Sequence, residues 1–541
     1  MQKRKISMLL VMSLLISVLA ACGGNSSNTS NNAENNAPSN NTNVSTTAPE
    51  NSNQYGDTGG LQLPLVDKPT TITWMLVSET PVNDKLIAKE IEKRTGIKVD
   101  FQVYSAATYA EKLRVTVGSG KLPDIFHGLN AAELKDIGGE GAVVAINDYS
   151  DMLPNFKRLY MDENSWVISS YGDENGKLYT WPIYDMNRDV NHGMMYRKDI
   201  FDKHGIPEYT DTESFYQALK KLKEIYPSSY PMASKTKENI FKDLSYGWGI
   251  GSASYPAYYD ESTKEWKYAP TQPEHKDMLD FLKKLYNEGL LDPEFLTDTS
   301  DSWTSKMTTD KSFVTWDWIG RLDLFYNQVK DVNPEYDLRY GNPIGPTGNV
   351  RTLPKINADF GITVANGKNK EVALKLLDYL TSPSGAALVT LGVEGETFNF
   401  DADGKPVYPE LANEDLIDIN VLNDRYGLWL EGMYLAPDHR SVYYNYTEKE
   451  QEAQDKIVSE NKFEAIDPVL NFTDAENSII ADLQVNLDKA ASEFNAKYIL
   501  NKNYGDQQWN EWVKNAESIG ATKLVDQFNG AQQRYDADVK K

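Results

Sequence analysis

The sequence predicts an α/β protein built from at least two lobes, and three observations point to that class. At 541 residues the chain is too long for a single hydrophobic core. Near its start, strand-like and helix-like segments alternate in the order β-α-β-α-β, which produces a parallel sheet with right-handed crossovers. Further on, an aromatic strand is interrupted by Pro182 and followed by a second strand, a pattern that indicates a crossing between lobes.

The start of the chain has the pattern of an export signal. Residues 3–5 are Lys-Arg-Lys, and residues 6–21 form an apolar run that is too short for a membrane span. The run ends in Leu-Ala-Ala-Cys-Gly around Cys22, which resembles the lipobox of bacterial lipoproteins, whose cysteine is acylated. We therefore expect a signal peptide over residues 1–21 and a lipid on Cys22, with an unlipidated signal peptide as the alternative.

Residues 22–62 are mostly Asn, Ser, Thr, Ala and Pro. This composition buries too little apolar surface to fold, so we expect a disordered tether with a reach of about 35 Å. Cys22 is the only cysteine, so the exported chain has no disulfide and no thiol nucleophile. The net charge of −24 argues against a nucleic-acid partner and against a polybasic membrane surface.

The first lobe is predicted to begin with strands at residues 71–77, 97–103 and 122–126, separated by helices at residues 83–95 and 109–117. In open parallel sheets, ligands sit beyond the carboxyl ends of the strands. The polar residues that follow these strand ends, and so are expected to line a cleft, are Ser78, Glu79, His127 and Asn130.

The segment from Asp173 to Phe201 carries the predicted lobe crossing. It opens with an Asn-Gly turn, continues as an aromatic run through Pro182 to Tyr184, and resumes as a strand at residues 194–196. The later elements that we predict are helices at residues 199–205, 211–226, 275–287 and 370–380, strands at 312–319 and 359–364, and a helical region from residue 448. Thr210 and Glu213 have the spacing of a capping box for the helix at residues 211–226.

Several short motifs, in this order and spacing, resemble the extracellular solute-binding proteins, family 1, of bacterial ABC importers, in their maltose-binding-protein-like large lipoprotein branch. They are Gly-Ser-Gly-Lys-Leu-Pro-Asp-Ile at residues 118–125, Asn-Gly-Lys-Leu at 175–178 with Trp-Pro-Ile at 181–183, Met-Tyr-Arg-Lys-Asp at 195–199, Gly-Ile-Pro at 205–207 with Phe215, Gly-Val-Glu-Gly at 392–395 and Asp-Ala-Asp-Gly-Lys-Pro at 401–406.

The resemblance implies a two-lobe periplasmic-binding-protein-like fold of class II, in which a ligand cleft separates two lobes. Each lobe would be a mixed, mostly parallel sheet flanked by helices. The chain would cross between lobes near Pro182, near Lys355 and after about residue 410. The expected N-terminal lobe comprises residues 63–182 and 357–420, and the expected C-terminal lobe comprises residues 183–356 and 421–541.

Aromatic and polar side chains near the predicted crossing and strand ends suit a sugar ligand. Sugar rings stack their C–H faces on aromatic rings, and carboxylate, amide and guanidinium groups bind their hydroxyls. The predicted ligand-binding residues are Glu79, His127, Asn130, Trp181, Tyr184, Asp185, Trp248, Trp316, Asp317, Trp318 and Arg321. The alternative for each aromatic residue is a place in a core, and Arg188, Arg197 and Arg321 leave a peptide or uronate ligand open.

No catalytic motif stands out. The five histidines lack the HExxH spacing, and no G-x-S-x-G elbow is present. We expect no cofactor, although Asp401 and Asp403 are weak candidates for calcium, as are Asp173 and Asn175, because both stretches resemble the start of an EF-hand loop. Both lack the later bidentate Glu, and both contain ordinary turn dipeptides.

These observations together predict a substrate-binding protein of an ABC importer, anchored by lipid on the extracytoplasmic face of the cell membrane. It would capture an oligosaccharide by cleft closure, act as a monomer with a membrane permease as partner, and catalyse no reaction. Two alternatives remain open. One is a surface glycosidase or polysaccharide lyase, and the other is a ligand-presenting sensor for a membrane kinase.

Overall fold

The structure, a computed structural model, describes residues 54–186, 189–414, 417–442, 447–464 and 466–539. The predicted signal peptide, Cys22 and Arg188 lie outside the described residues. The strands are β1 (Thr70–Val77), β2 (Ile97–Tyr104), β3 (Ile125–His127), β4 (Trp181–Tyr184), β5 (His192–Arg197), β6 (Ala257–Asp260), β7 (Glu265–Tyr268), β8 (Val314–Trp318), β9 (Leu338–Tyr340), β10 (Ile356–Val364), β11 (Asn399–Phe400) and β12 (Pro406–Val407).

The α-helices flank these strands and dominate the C-terminal third. They are α1 (Leu86–Thr95), α2 (Ala106–Ser119), α3 (Ala131–Gly139), α4 (Pro154–Lys157), α5 (Trp166–Tyr171), α6 (Lys198–His204), α7 (Thr212–Ile225), α8 (Asn239–Ser245), α9 (Pro273–Asn287), α10 (Ser300–Thr308), α11 (Arg321–Val329), α12 (Lys370–Thr381), α13 (Pro383–Thr390), α14 (Ile419–Tyr426), α15 (His439–Val442), α16 (Glu448–Glu460), α17 (Asp474–Leu500), α18 (Asp506–Ile519) and α19 (Ala521–Val539). None of the helices in the described ranges is long and apolar enough to cross a membrane.

The sheet of the first lobe has the strand order β2-β1-β3-β10-β4. Strand β1 pairs in parallel with β2 and β3, which confirms the predicted β-α-β-α-β start. Strand β10 runs antiparallel to β3 and to β4. Pro182 therefore lies in an edge strand, where its missing N–H leaves no gap in the interior of the sheet.

The core of the first lobe reaches further along the chain than predicted. Leu430, Met433 and Leu435 pack in the same core as strands β1, β3 and β10. The expected boundary at residue 420 is wrong for this stretch, because the apolar side chains of residues 428–435 have their partners in the first lobe. A satellite core of residues 391–429 adjoins it, with Leu86 packed against it.

The second lobe is built on the three-stranded sheet β8-β5-β9, in which β5 pairs antiparallel with both neighbours. The expectation of a mostly parallel sheet is wrong for this lobe. The helices α17, α18 and α19 complete its core, since Leu487, Trp512 and Phe528 pack with residues of β5, α7 and α9. The helical C-terminal region predicted from residue 448 is confirmed.

Two local predictions are also corrected. The expected disordered tether ends earlier than residue 62, because Ser384 donates hydrogen bonds from its amide to the carbonyl of Asp57 and from its hydroxyl to the carbonyl of Tyr55. The capping box of α7 consists of Asp211 and Ser214, not of Thr210 and Glu213. The helix begins at Thr212, so the carboxylate of Asp211 is the group placed to accept from the third helical amide, at 2.8 Å.

Three passages of the chain between the lobes meet beside Asp185. The amide of Tyr184 donates to the carbonyl of Leu435 at 2.7 Å, and the amide of Asp185 donates to the carbonyl of Lys355 at 2.6 Å. The imidazole Nε2 of His439 lies 3.1 Å from the carbonyl oxygen of Asp185. These three segments form the covalent connection between lobes, in the position of a hinge.

A second contact joins the lobes away from these crossings. Leu470 and Phe472 pack against the second core, and Asn471 between them bonds to the first lobe. Its side-chain carbonyl accepts from Lys135 Nζ at 2.7 Å, and its amide nitrogen donates to the carbonyl of Gly172 at 2.6 Å. Helix α19 also packs against α5 on the same side.

Candidate functional site

The interlobe edge of the first sheet is set by its topology. Strand β4 leads directly into the first crossing, and β10 begins directly after the second. Because β1, β3 and β4 run in the same direction, their carboxyl ends all lie at this edge. The residues that follow β1 and β3 therefore lie at this edge, on the same side as the crossings.

The predicted residues at this edge differ in their availability to a ligand. Glu79 and Asn130 are exposed, but Glu79 Oε1 accepts from the amide of Ala106, and Asn130 caps α3 by accepting from the amide of Glu133. His127 is buried and stacks on Tyr109 with ring centroids 4.7 Å apart. Burial lowers the pKa of His127 to about 4, so the ring is neutral at pH 7.

The loop at residues 427–435 adds side chains to the same edge. A Cβ on Gly432 would lie 3.1 Å from His127 Cδ2, so this loop rests directly on the buried histidine. Glu431 lies close enough to Tyr109 and Tyr434 for its charge to raise the pKa of both phenols, after the larger effect of burial. Desolvation also raises the pKa of the Glu431 carboxyl.

The second lobe presents a wall of aromatic rings at the start of β5 and the end of β8. His192 pairs with Trp318, and Met194 pairs with Trp316, so the side chains of these four residues share one face of the sheet. The His192 ring stacks on Trp316 at 5.1 Å and meets Trp318 edge to face at 4.9 Å. Trp318 is 40% exposed, which leaves much of its ring free to contact a ligand.

Asp317 points to the opposite face of the same strand. It is 1% exposed, forms an ion pair with Lys235, and accepts from the amide of Trp318 at 2.7 Å. Arg321 Nε lies 3.7 Å from Asp317 Oδ1. The predicted residue Asp317 therefore stabilises the strand end that carries Trp318 rather than lining the aromatic wall, and Arg321 is oriented by it.

A small cavity of about 20 Å³ lies behind the aromatic wall, with room for roughly one water-sized group. Among its lining residues are Met194, Trp316, Asp243, Asn349 and Arg351. Burial raises the pKa of Asp243 to about 7, and its Oδ2 is buried without a hydrogen-bond partner. The cavity thus combines an aromatic edge, a carboxyl group, an amide and a guanidinium.

Several predicted ligand residues lie elsewhere. Trp181 is fully buried in the first core, edge to face with Phe156, and Trp248 is 4% exposed in the second core. The prediction that these two tryptophans bind the ligand is corrected, because their rings pack against apolar neighbours from distant segments. Tyr184 ends β4, and its amide donates to the carbonyl of Leu435 at the crossing. Asp185 lies at the crossing itself, where its carboxylate oxygens lie 3.7 Å from Lys355 Nζ and 3.7 Å from His439 Nε2.

Arg197, a candidate for an acidic ligand, is also a structural residue. Its side chain is fully buried and pairs with Asp199 at 2.7 Å and with Asp310 at 3.0 Å, while its guanidinium stacks on Tyr336. These partners satisfy the charge inside the second lobe. It does not reach the space between the lobes.

In the two loops that are weak calcium candidates, the first carboxylate is used within the turn itself. Asp401 Oδ1 accepts from the amides of Asp403 and Lys405, at 3.0 and 2.8 Å, and so serves the turn between β11 and β12. Asp173 Oδ1 does the same for the amides of Asn175 and Lys177. Within the described ranges, no cluster of three or more His, Cys, Asp or Glu side chains could hold a metal.

Sequence reasoning missed His192, Asp243, Arg351 and the loop at residues 427–435. The alternation of β5 pointed to His192, because it shares a face with Met194. Asp243 and Arg351 lie 108 positions apart in the chain, and neither belongs to a local motif. Only the packing of α8 against the segment ahead of the second crossing brings them to one cavity.

Two α/β lobes joined by three crossings, with an exposed aromatic wall beside them, define a two-lobe binding protein for a small solute. The chain belongs to the bacterial extracellular solute-binding protein family, whose model matches residues 79–387. This confirms the predicted family. The proteins of this family and the relatives named below are binding proteins rather than enzymes.

Two relatives illustrate the similarity. The fructooligosaccharide ABC transporter substrate-binding protein FusA of Streptococcus pneumoniae is 25% identical, and the match spans 62% of this chain and 65% of FusA, just under two thirds of that relative. The polygalacturonan/rhamnogalacturonan-binding protein YtcQ of Bacillus subtilis is 22% identical over 86% of this chain and 92% of YtcQ.

The fold is shared with solved structures. The alginate-binding protein AlgQ2, in a crystal structure without calcium ion, superimposes with a TM-score of 0.63 and 21% identity, covering 87% of this chain and 99% of AlgQ2. The predicted two-lobe α/β fold is confirmed. As a member of an extracellular family, the protein acts outside the cytoplasm.

Proposed function

We propose that this protein is the substrate-binding subunit of an ABC importer and captures an oligosaccharide between its lobes. The observation that carries the proposal is the aromatic wall of His192, Trp316 and Trp318, of which Trp318 is 40% exposed. Aromatic faces bind the C–H faces of sugars, and the wall lies beside the crossings, where hinge closure would bring the first lobe against it.

The relatives support the same class of ligand. FusA is named for fructooligosaccharides and YtcQ for polygalacturonan and rhamnogalacturonan. We further propose that Cys22 carries the lipid that holds the protein at the extracytoplasmic face of the membrane, on the lipobox-like sequence around it. A membrane permease would then be its partner, and the protein would work as a monomer.

On the first lobe, the proposed ligand contacts are Glu79, Asn130, Glu431 and Tyr434, which surround the carboxyl ends of β1 and β3. On the second lobe they are Trp316, Trp318 and Arg321. Binding would draw these two sets together by rotation at the crossings beside Asp185, so that a sugar is held by rings on one side and polar groups on the other.

A glycan panel tests the proposal. The exported chain is titrated with neutral and acidic oligosaccharides while its melting temperature and heat of binding are recorded. A raised melting temperature, with the sugar recovered intact, is the expected result. Recovery of cleaved sugar would instead support the surface glycosidase or polysaccharide lyase. If the protein binds the sugar but loss of the permease leaves uptake of that sugar by the cell unchanged, the sensor is supported.

A further inference from the structure

Arg351 differs from most arginines of the described chain because its guanidinium has no partner there. The ionic partners of the others include Glu90 for Arg94, Asp199 for Arg197 and Asp438 for Arg440. Arg351 makes no ion pair or hydrogen bond in the described ranges, although it is half-buried. A charge removed from water without a partner is unfavourable, so such a side chain is suited to binding an anion from outside.

The backbone holds Arg351 in place. Val350, which is buried, donates from its amide to the carbonyl of Lys462 at 3.0 Å and accepts from the amide of Glu464 at 3.0 Å. The side chains of Asn349 and Arg351, on either side of it, both line the cavity behind Trp316. The backbone that carries Arg351 therefore belongs to a paired segment rather than to a free loop.

A second cation lies near Arg351. Lys242 on α8 has a pKa lowered first by burial and then by the charge of Arg351. Lys242 makes no ion pair within the part of the chain that the structure describes. Two adjacent cations repel each other, and an anion bound near both would relieve that repulsion.

The size of the cavity limits what can enter it. At about 20 Å³ it admits one small polar group and excludes a whole sugar ring. A ring resting on Trp316 and Trp318 would remain outside and direct a single substituent inward. In a hexuronate that substituent is a carboxylate, and in a neutral hexose it is a hydroxymethyl group.

We propose that this cavity receives the carboxylate of a hexuronate residue, with Arg351 as its charged partner and the rings of Trp316 and Trp318 against the sugar. The inference rests on the proposed function and narrows its ligand to acidic oligosaccharides. Arg351 is then the residue that distinguishes a uronate from the neutral hexose of the same shape, since a guanidinium binds a carboxylate through two parallel hydrogen bonds.

The carboxyl group of Asp243 lines the cavity, and those of Asp467 and Glu464 lie near Tyr246 beside it. All three oppose an anion when they are ionised. Burial raises the pKa of Asp243 to about 7 and that of Asp467 to about 6, and it raises the pKa of Glu464. Binding of a uronate is therefore expected to weaken severalfold from pH 7 to pH 8, as Asp243 loses its proton. The titratable and charged groups around the cavity are Lys235, Lys242, Asp243, Tyr246, Asp317, Arg351, Glu464 and Asp467.

The test is calorimetry of the full exported chain with trimers of galacturonate, mannuronate and guluronate, each beside the trimer of its neutral hexose. Three proteins are compared: the wild type, Arg351→Gln, and Arg425→Gln as control. Arg425 is exposed on α14 and likewise makes no ion pair in the described ranges. Asp243→Asn is measured at pH 7 and pH 8.

We expect the wild type to bind at least one uronate trimer tenfold or more tightly than its neutral counterpart. Arg351→Gln should bind that uronate trimer at least tenfold more weakly than the wild type does, and the neutral trimer less than threefold more weakly. Arg425→Gln should bind both trimers with the affinity of the wild type. Asp243→Asn should bind the uronate with equal affinity at both pH values.

Three results would overturn the inference. In the first, a neutral trimer binds as tightly as every uronate trimer. In the second, Arg351→Gln lowers the affinity for both kinds of trimer equally, and in the third it lowers the affinity for neither. In each of these cases sugar binding itself would stand. If no oligosaccharide of any kind binds, the proposed function falls together with the inference.

Discussion

At the scale of the residue, exposure separates the aromatic side chains that can meet a ligand from those that stabilise a core. Trp181 and Trp318 both lie in strands beside a crossing, yet Trp181 is fully buried and Trp318 is 40% exposed. The ring of Trp181 packs edge to face on Phe156, 25 positions earlier in the chain. The sequence around each tryptophan carries no sign of that difference, because the neighbour that buries the ring comes from another element.

Trp318→Ala is expected to weaken oligosaccharide binding by at least tenfold, on the order of 2 kcal/mol, because the variant loses the exposed face of the wall. Calorimetry measures the change. Tyr230→Ala is the matched control, since Tyr230 is 39% exposed but lies away from the crossings, where its ring is covered by Lys223. Equal affinities for wild type and Trp318→Ala would remove Trp318 from the site.

At the scale of the element, the sequence succeeds where the pattern is local. Strand β1 is a buried apolar run, β2 alternates strictly, and the helix between them is stopped by Gly96, so their parallel pairing was predictable. The antiparallel sheet of the second lobe was not, because the central strand β5 pairs with β8 and β9, which both come more than a hundred residues later in the chain. The cavity with Asp243 and Arg351 has the same origin in long-range packing.

The contact between α9 and α17 predicts a pH dependence of stability. His275 is fully buried there, with Nε2 3.1 Å from Asn495 Oδ1, and burial lowers its pKa to about 4. In the unfolded chain the histidine has a pKa near 6.5. Between pH 6.5 and pH 4 it is therefore protonated in the unfolded chain but still neutral in the folded one. This histidine should therefore cost about 3 kcal/mol of unfolding free energy as the pH falls through that window.

Urea unfolding at pH 7, 6 and 5 measures this effect. His275→Gln, whose new side chain carries no titrating group, should lose less stability over that range than the wild type. The slope of its unfolding free energy against pH should be smaller by the equivalent of close to one proton. His204→Gln, which changes a half-buried histidine of α6, is the comparison. Identical slopes for wild type and His275→Gln would contradict the assignment.

At the scale of the whole molecule, the lobes are connected both by the crossings and by the contact of Asn471. The crossings beside Asp185 permit rotation about one place, while Asn471 bonds Lys135 and Gly172 across the lobes elsewhere. Rotation that separates the lobes at this second place must break both hydrogen bonds. Their combined effect on the lobe arrangement is expected to be about 1 to 3 kcal/mol.

Asn471→Ala should therefore shift the ligand-free protein toward arrangements with the lobes further apart. Small-angle X-ray scattering is expected to show a larger radius of gyration than for the wild type, and saturating sugar should reduce the difference. Asn477→Ala is the control, because the side chain of Asn477 donates to the carbonyl of Phe472, which lies in the same lobe. An unchanged radius of gyration for Asn471→Ala would show that the contact does not restrain the lobes.

The three crossings beside Asp185 also govern the order in which the molecule is assembled. The first sheet is incomplete until β10 has been synthesised, and its core lacks Leu430, Met433 and Leu435 until later still. The second core waits for Phe528, close to the end of the chain. The core of the first lobe therefore cannot be complete before residue 435 has been made, and the core of the second lobe cannot be complete before residue 528. Both cores depend on pairings between distant segments, which form slowly. We therefore expect both lobes to fold late in synthesis, with the first lobe able to close its core before the second.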